Sequence, residues 1–175
     1  MIGGRWKRSK LPVADRPGLR PTPDRVRETL FNWLGQDLEG WRCLDAFAGS
    51  GALGLEAASR GAARVLLVER DPVVAAQLRE IAQRLRADCV EVSCADALAL
   101  LRQLPPGCFD LVFVDPPYGS GLLQPALDAA STLISSGGYA YVEDDHTLDV
   151  PAGWTLCREG KAGAVCYHLL RRDGP

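Results

Sequence analysis

The segment at positions 43–54 constrains the fold more than any other part of the chain. It begins as a short apolar run, turns at Gly49-Ser50-Gly51, and continues as a helical pattern that stops at Gly61. A strand, a tight glycine turn and a helix N-terminus in this order are typical of a parallel α/β sheet that binds a nucleotide-like cofactor. Glycine lets the backbone approach such a ligand closely because it has no Cβ atom.

One acid beside this turn indicates which cofactor binds. Gly49, Gly51 and Gly54 match the spacing G-x-G-x-x-G, which dinucleotide-binding proteins also show. Asp45 would repel the pyrophosphate of a dinucleotide, whereas a carboxylate attracts the ammonium and sulfonium groups of S-adenosyl-L-methionine. We therefore expect S-adenosylmethionine as the cofactor. The alternative is that Asp45 only caps the turn that follows it.

Strands and helices alternate along the rest of the chain, and a β-hairpin ends it. The pattern predicts strands over 42–47, 64–69, 89–94, 110–115, 139–143, 154–158 and 164–170. It predicts helices over 52–60, 72–86, 97–103 and 122–134. This order predicts an α/β, Rossmann-like fold: a mostly parallel seven-stranded sheet with helices on both faces and a C-terminal antiparallel hairpin.

The length of 175 residues, 47% of them hydrophobic, suits a single domain spanning 1–175. We divide it into a basic arm at 1–21, a helix at 22–35 and a Rossmann-like core at 41–175. Thr22 is the expected N-cap of that helix, with Pro23 in its first turn.

The arm and the start of the helix carry a local excess of positive charge. Residues 1–27 hold eight of the 20 basic residues and two of the 22 acidic ones, although the whole chain has a net charge of −2. Such a segment suits a polyanionic partner, and Trp6 among the bases could stack on nucleobases. The candidate contacts with a nucleic acid are Arg5, Trp6, Lys7, Arg8, Lys10, Arg20, Arg25 and Arg27. The alternatives are a solvated tail, and for Arg27 an ion pair with Glu28 or another acid.

The six cysteines include no C-x-x-C pair, so we expect buried free thiols and neither a disulfide framework nor a metal site. The N-terminus is basic without an apolar stretch behind it, and no apolar run is long enough to span a bilayer. These features predict a cytoplasmic protein without a membrane partner.

Acids follow the second and third predicted strands as well. Glu69 would accept hydrogen bonds from the cofactor ribose, unless it is only a solvated strand end. Asp96 would accept from the adenine amino group, or cap the next helix, or do both. The full set of expected cofactor contacts is Asp45, Phe47, Ala48, Gly49, Ser50, Gly51, Glu69, Arg70, Asp96 and Ala97.

The sequence Asp115-Pro116-Pro117-Tyr118 follows the fourth predicted strand and is the expected catalytic loop. An exocyclic amine of a nucleobase is a poor nucleophile because its lone pair is delocalised into the ring. A carboxylate and a carbonyl that accept its two N–H bonds localise that lone pair, and proline leaves carbonyls free to accept. Tyr118 offers a ring on which a flipped base could stack. The alternative is an ordinary Asp-Pro turn.

With these motifs assembled, the chain resembles the RsmD family of bacterial ribosomal RNA methyltransferases over essentially its full length. The resemblance is carried by segments 3–6, 18–34, 44–61, 68–69 and 113–118. The most specific of them reads Arg-Pro-Thr-x-x-Arg-Val-Arg-Glu-x-Leu-Phe.

The resemblance implies a class I S-adenosylmethionine-dependent methyltransferase that modifies the N2 amine of one guanine in 16S ribosomal RNA. It implies as substrate the small ribosomal subunit or its assembly intermediate, and we expect the protein to act as a monomer. It assigns Asp45, Gly49, Gly51, Glu69 and Asp96 to the cofactor and 115–118 to catalysis.

Three other functions remain open at this point. A DNA or protein amino-methyltransferase could use the same loop, although DNA enzymes usually add a recognition domain that this length does not allow. A nicotinamide-dependent oxidoreductase could use the glycine spacing, but Asp45 and the 115–118 loop argue against it. A non-catalytic RNA-binding assembly factor would need only the basic arm.

Overall fold

A computed structural model of the protein describes residues 1–11, 22–146 and 148–174. Within these residues, seven strands form one sheet in the order β3-β2-β1-β4-β5-β7-β6. The strands are β1 (Arg42–Asp45), β2 (Arg64–Glu69), β3 (Val90–Cys94), β4 (Phe109–Val114), β5 (Ile134–Asp144), β6 (Trp154–Ala162) and β7 (Val165–Arg172). The helices are α1 (Asp24–Trp33), α2 (Ala52–Ser59), α3 (Pro72–Leu85), α4 (Ala97–Leu101) and α5 (Leu123–Leu133).

The sheet has the predicted Rossmann-like topology. Strands β1 to β5 pair in parallel, and β7 pairs antiparallel with both β5 and β6. The strand order reverses between β1 and β4, so a crevice opens at their carboxyl ends, where open α/β sheets bind ligands.

Helices cover both faces of the sheet and create two cores. One core packs α1, α2 and α3 against the sheet, with Phe31, Phe113 and Tyr141 fully buried. The other packs α4 and α5 against the opposite face through residues such as Val112 and Leu127. The continuous apolar runs of the central strands follow from this double coverage.

Several predicted boundaries differ from those of the structure, most clearly in α1, β5 and β6. Helix α1 begins at Asp24 and its N-cap position is Pro23, without a side-chain cap, while Thr22 is buried. Strand β5 begins at Ile134 and not at 139, and the glycines at 137 and 138 lie where its register with β4 shifts. Strand β6 continues to Ala162, because residues 158–162 pair with β7 at the edge of the sheet.

The cysteine prediction held in part. All six thiols are free, but only Cys43 and Cys166 are buried, and Cys94 is exposed. No helix in the described residues has the length and apolarity needed to cross a membrane.

The first residues of the basic arm are fixed to helix α2. Glu56 is fully buried and its carboxylate accepts hydrogen bonds from the backbone N–H groups of Ile2 (3.0 Å) and Gly3 (2.8 Å) and from Arg60 Nε (2.9 Å). The Arg5 N–H donates to the Ser59 carbonyl at 2.6 Å. Residues 1–11 are therefore part of the folded body, held by one internal carboxylate.

We expect Glu56→Ala to lower the free energy of unfolding by about 3 kcal/mol or more, because it leaves buried cationic and N–H groups without their acceptor. Chemical denaturation measures this loss. The control is Arg64→Ala, which breaks an exposed ion pair with Glu91 and should cost less than about 1 kcal/mol. Equal losses in the two variants would contradict the role given to Glu56.

Candidate active site

A cavity of about 370 Å³ lies at the carboxyl ends of the parallel strands. This volume is in the range of small-molecule and cofactor sites. The turns after β1, β2, β3 and β4 all contribute to it. Its walls include the predicted site residues Asp45, Phe47, Ala48, Gly49, Ser50, Glu69, Arg70, Asp96, Ala97, Asp115, Pro116, Pro117 and Tyr118.

The sheet brings these residues together because the ends of parallel strands meet at one edge. Asp45 pairs with Phe113 in the neighbouring strand, two residues before Asp115. Asp45 and Asp115 thus face one shared cavity, as the methyltransferase interpretation requires.

Two carboxylates hold the glycine turn in position. Asp45 Oδ2 accepts from the Gly54 N–H at 3.0 Å, in the first turn of α2. Glu69 Oε2 accepts from the Gly49 N–H at 3.0 Å, and its Oε1 accepts from the Asp71 N–H at 2.8 Å. The cap alternative for Asp45 is therefore also realised, at a distance of nine residues along the chain.

The glycines of the motif serve different purposes. Gly51 has φ +74°, and a Cβ there would lie 2.6 Å from Leu78 and 2.9 Å from Leu55. A Cβ on Gly54 would lie 2.2 Å from Leu67. Gly51, predicted as a cofactor contact, is not among the residues that line the cavity. The positive φ of the turn and the close packing against Leu78 and Leu55 explain why position 51 is a glycine.

Asp96 is the N-cap of α4, where its Oδ1 accepts from the Ala99 N–H at 2.9 Å. It also lines the cavity, so the two interpretations of this residue are compatible.

The cavity is strongly acidic. Its walls include one arginine, Arg70, and the carboxyl groups of Asp45, Glu69, Asp71, Asp96, Asp115 and Glu143. Burial raises the pKa of Asp45 to about 7, with Glu69 and Glu143 adding to the rise. Burial also raises the pKa of Asp115 well above its usual range, and the charges of Glu143 and Asp45 contribute.

A bound cation would lower the raised pKa values of Asp45 and Asp115. A positive ligand in the cavity offsets the repulsion between the carboxylates, whereas a pyrophosphate would add to it. The residues therefore fit S-adenosylmethionine and oppose a dinucleotide.

The sequence reasoning missed Glu143, near the end of β5. It is 3% exposed, lines the cavity, and its Oε1 accepts from the Tyr141 hydroxyl at 2.9 Å. Thr22 and Pro23, at the start of α1, also reach the wall. Glu143 is an acid at the end of a hydrophobic strand. This is the same sequence signal that indicated Glu69 and Asp115.

In the structure, some of the predicted RNA contacts are exposed and others are buried. Arg5, Lys7, Arg8, Lys10 and Arg25 are exposed, and Arg20 lies outside the described residues. The backbone next to Trp6 is bound to Ser59, at the end of α2 remote from the glycine turn. Arg25, in contrast, lies in the first turn of α1, close to the cavity wall.

Two of the predicted contacts were wrong as exposed RNA-binding groups. Trp6 is only 9% exposed and packs in the core, so its ring does not offer a stacking face. Arg27 is 7% exposed. It contacts Asp24, and its Nη1 lies 3.7 Å from Glu56 Oε2, so the alternative of an internal ion pair is correct.

A Rossmann-like sheet with an acid-lined cavity at its carboxyl edge defines a class I methyltransferase that uses S-adenosylmethionine. Comparisons with known proteins agree with this class. The family model described as "Conserved hypothetical protein 95" matches residues 1–171.

Curated relatives carry a more specific description. Ribosomal RNA small subunit methyltransferase D of Escherichia coli (strain K12) is 46% identical over 182 residues, covering 99% of this chain and 89% of its own. The protein of the same name from Haemophilus influenzae is 42% identical, covering 98% and 92%.

A solved structure described as a putative methyltransferase, yhhF, from Escherichia coli superposes with a TM-score of 0.89 at 45% identity, covering 100% of this chain and 98% of its own. The chain belongs to this RsmD family, and it is an S-adenosylmethionine-dependent methyltransferase.

The raised pKa of Asp45 predicts that cofactor binding depends on pH. A cation prefers the ionised carboxylate, so binding below about pH 7 should release protons, and affinity should rise with pH by up to about tenfold per unit. Calorimetry between about pH 5.5 and 7.5, in buffers of different ionisation enthalpy, measures the proton release. Asp45→Asn keeps an acceptor for Gly54 and should reduce the slope. A wild-type affinity independent of pH would contradict the placement of a positive group beside Asp45.

The same shift has the opposite effect on the free protein. A carboxyl whose folded pKa lies near 7, against 3.8 unperturbed, binds protons more tightly in the folded state. Its contribution to the stability of the ligand-free protein is therefore lost as pH rises through this window.

Proposed function

We propose that the protein transfers a methyl group from S-adenosylmethionine to the exocyclic N2 amine of one guanine in 16S ribosomal RNA. The observation that supports this most is the shared cavity of Asp45 and the 115–118 loop, which joins a site for a cation to a site for an aromatic amine. The curated relatives named as small-subunit ribosomal RNA methyltransferases support the choice of RNA.

We propose that one part of the cavity holds the cofactor. Asp45 and Glu69 fix the glycine turn, and Asp96 stands where the adenine amino group would be accepted. When bound, S-adenosylmethionine supplies an electrophilic methyl group on a sulfonium centre.

The 115–118 loop would hold the base. The Asp115 carboxylate and the Pro116 carbonyl accept the two N–H bonds of the guanine amine, which localises its lone pair. Tyr118 is 38% exposed on the cavity wall, where its ring would stack on the base. The chain's contribution to rate is then mainly positioning.

Asp115 is also suited to take the proton that leaves the amine. Its buried position beside Glu143 and Asp45 raises its pKa, so it binds a proton more readily than an exposed aspartate. Water is the alternative acceptor.

We expect Asp115→Ala to lower single-turnover methyl transfer to unmodified small subunits by about a hundredfold or more, because the amine loses its acceptor. Cofactor binding should persist and is measured alongside. Asp128→Ala, which removes an exposed acid on α5, is the control and should behave as wild type. Near-normal transfer by Asp115→Ala with the cofactor bound would refute the mechanism.

The choice of substrate is tested separately. Incubation with tritiated cofactor should label small subunits or their assembly intermediates in preference to naked RNA, DNA or protein, and mass spectrometry should place the label on a guanine N2. Labelling of DNA or protein at comparable rates would instead favour a different amino-methyltransferase. We propose that the protein acts as a monomer in the cytoplasm, where small subunits assemble.

We propose that the exposed bases of the arm bind RNA mainly through phosphates. Neutralising Lys7 and Arg8 together should weaken RNA binding and lower the slope of log affinity against log salt by roughly one unit per charge. Binding titrations over a salt series measure both. Arg27→Ala is the matched control: because Arg27 is buried, it should change stability and leave the salt slope as it is. An unchanged slope in the Lys7/Arg8 variant would contradict this proposal.

A further inference from the structure

Glu143 and Asp115 lie at neighbouring positions where the β4–β5 ladder ends. Val114 pairs with Val142 in this parallel ladder; Glu143 is the next residue of β5, and Asp115 directly follows the last residue of β4. Adjacent strands lie about 4.8 Å apart, so the two carboxyl groups leave the sheet at neighbouring positions. Both line the cavity.

A hydrogen bond from Tyr141 holds the Glu143 carboxylate in position. Tyr141, two residues earlier on the same face of β5, is fully buried and donates its hydroxyl to Glu143 Oε1 at 2.9 Å. The Tyr141 ring packs edge-on against Phe113, two residues before Asp115 on β4. The buried Tyr141 ring, packed against Phe113, therefore holds the hydroxyl that positions the Glu143 carboxylate.

Guanine presents a matching pattern. Its N1–H and its N2 amine are adjacent donors on the Watson–Crick edge, whereas adenine and cytosine place a ring acceptor beside their amine. Two neighbouring carboxylates supply two acceptors and no donor when ionised, so they complement guanine and oppose the other two.

We propose that Glu143 is a specificity-determining residue that accepts the N1–H of the target guanine, while Asp115 accepts from the N2 amine. The inference rests on the proposed function. A base with a lone pair at N1 would place one hydrogen-bond acceptor against another, the Glu143 carboxylate. A buried site whose acceptor is left without a donor rejects such a base strongly.

The test uses reconstituted small subunits whose target nucleotide is either guanine or 2,6-diaminopurine, introduced by ligating a synthetic segment into the 16S RNA. Diaminopurine keeps the 2-amine but carries a lone pair at N1. We expect the wild-type protein to prefer guanine by about a hundredfold or more in kcat/KM. In Glu143→Gln the amide can donate to the lone pair, so the preference should shrink to about tenfold or less.

Tyr141→Phe is the matched control. It removes the hydroxyl that positions Glu143 but leaves the carboxylate, so the preference for guanine should shrink less than in Glu143→Gln. Cofactor affinity and thermal unfolding of each variant separate an effect on base choice from an effect on folding.

Different outcomes distinguish a wrong role for Glu143 from a wrong function for the protein. A wild-type preference near unity, or an unchanged preference in a folded Glu143→Gln protein, would overturn the inference while the proposed function stands. If wild type fails to methylate guanine-containing subunits at all, the proposed function fails and this inference fails with it.

Discussion

The structure depends on two buried or half-buried carboxylates that hold the glycine turn against the sheet. Asp45 binds the Gly54 N–H from the end of β1, and Glu69 binds the Gly49 N–H from the end of β2. The bond to Gly54 satisfies a backbone donor in the first turn of α2 that the helix leaves unpaired, and the bond to Gly49 satisfies a donor in the turn before the helix. They fix the wall of the cavity before any ligand arrives, so the acids that would meet a cofactor also build its site.

The same acids repel one another unless a positive charge lies between them. Several carboxyl groups converge in the cavity, and burial with mutual repulsion raises the pKa values of Asp45 and Asp115. A protein of this kind gives up some stability to maintain a site that a cation completes. The same cluster of carboxyl groups therefore has two effects. It attracts a positively charged methyl donor, and it raises the pKa of Asp115 so that this residue can accept a proton.

A second internal carboxylate, Glu56, organises the opposite end of α2. It binds the backbone of Ile2 and Gly3 and pairs with Arg60, which lies 4.7 Å over the Phe31 ring. The helix that carries the glycine turn at its start therefore carries the N-terminal segment near its end. This arrangement places the exposed bases at Lys7 and Arg8 on the folded body.

The sequence by itself determined the fold class, the succession of strands and helices along the chain, and most of the cavity residues after β1 to β4. Periodicity and glycine spacing are local signals, and the carboxyl ends of parallel strands share one edge of the sheet. It did not determine which charged groups are buried. Trp6 and Arg27 look like surface groups in a basic segment. In the fold, Trp6 is buried where residues 1–11 dock on α2, and Arg27 is buried in α1 beside Asp24 and Glu56. The sequence places Glu143 at the end of a hydrophobic strand, but only the β4–β5 register places it next to Asp115, since the position of one carboxyl group beside another is set by pairing between distant segments.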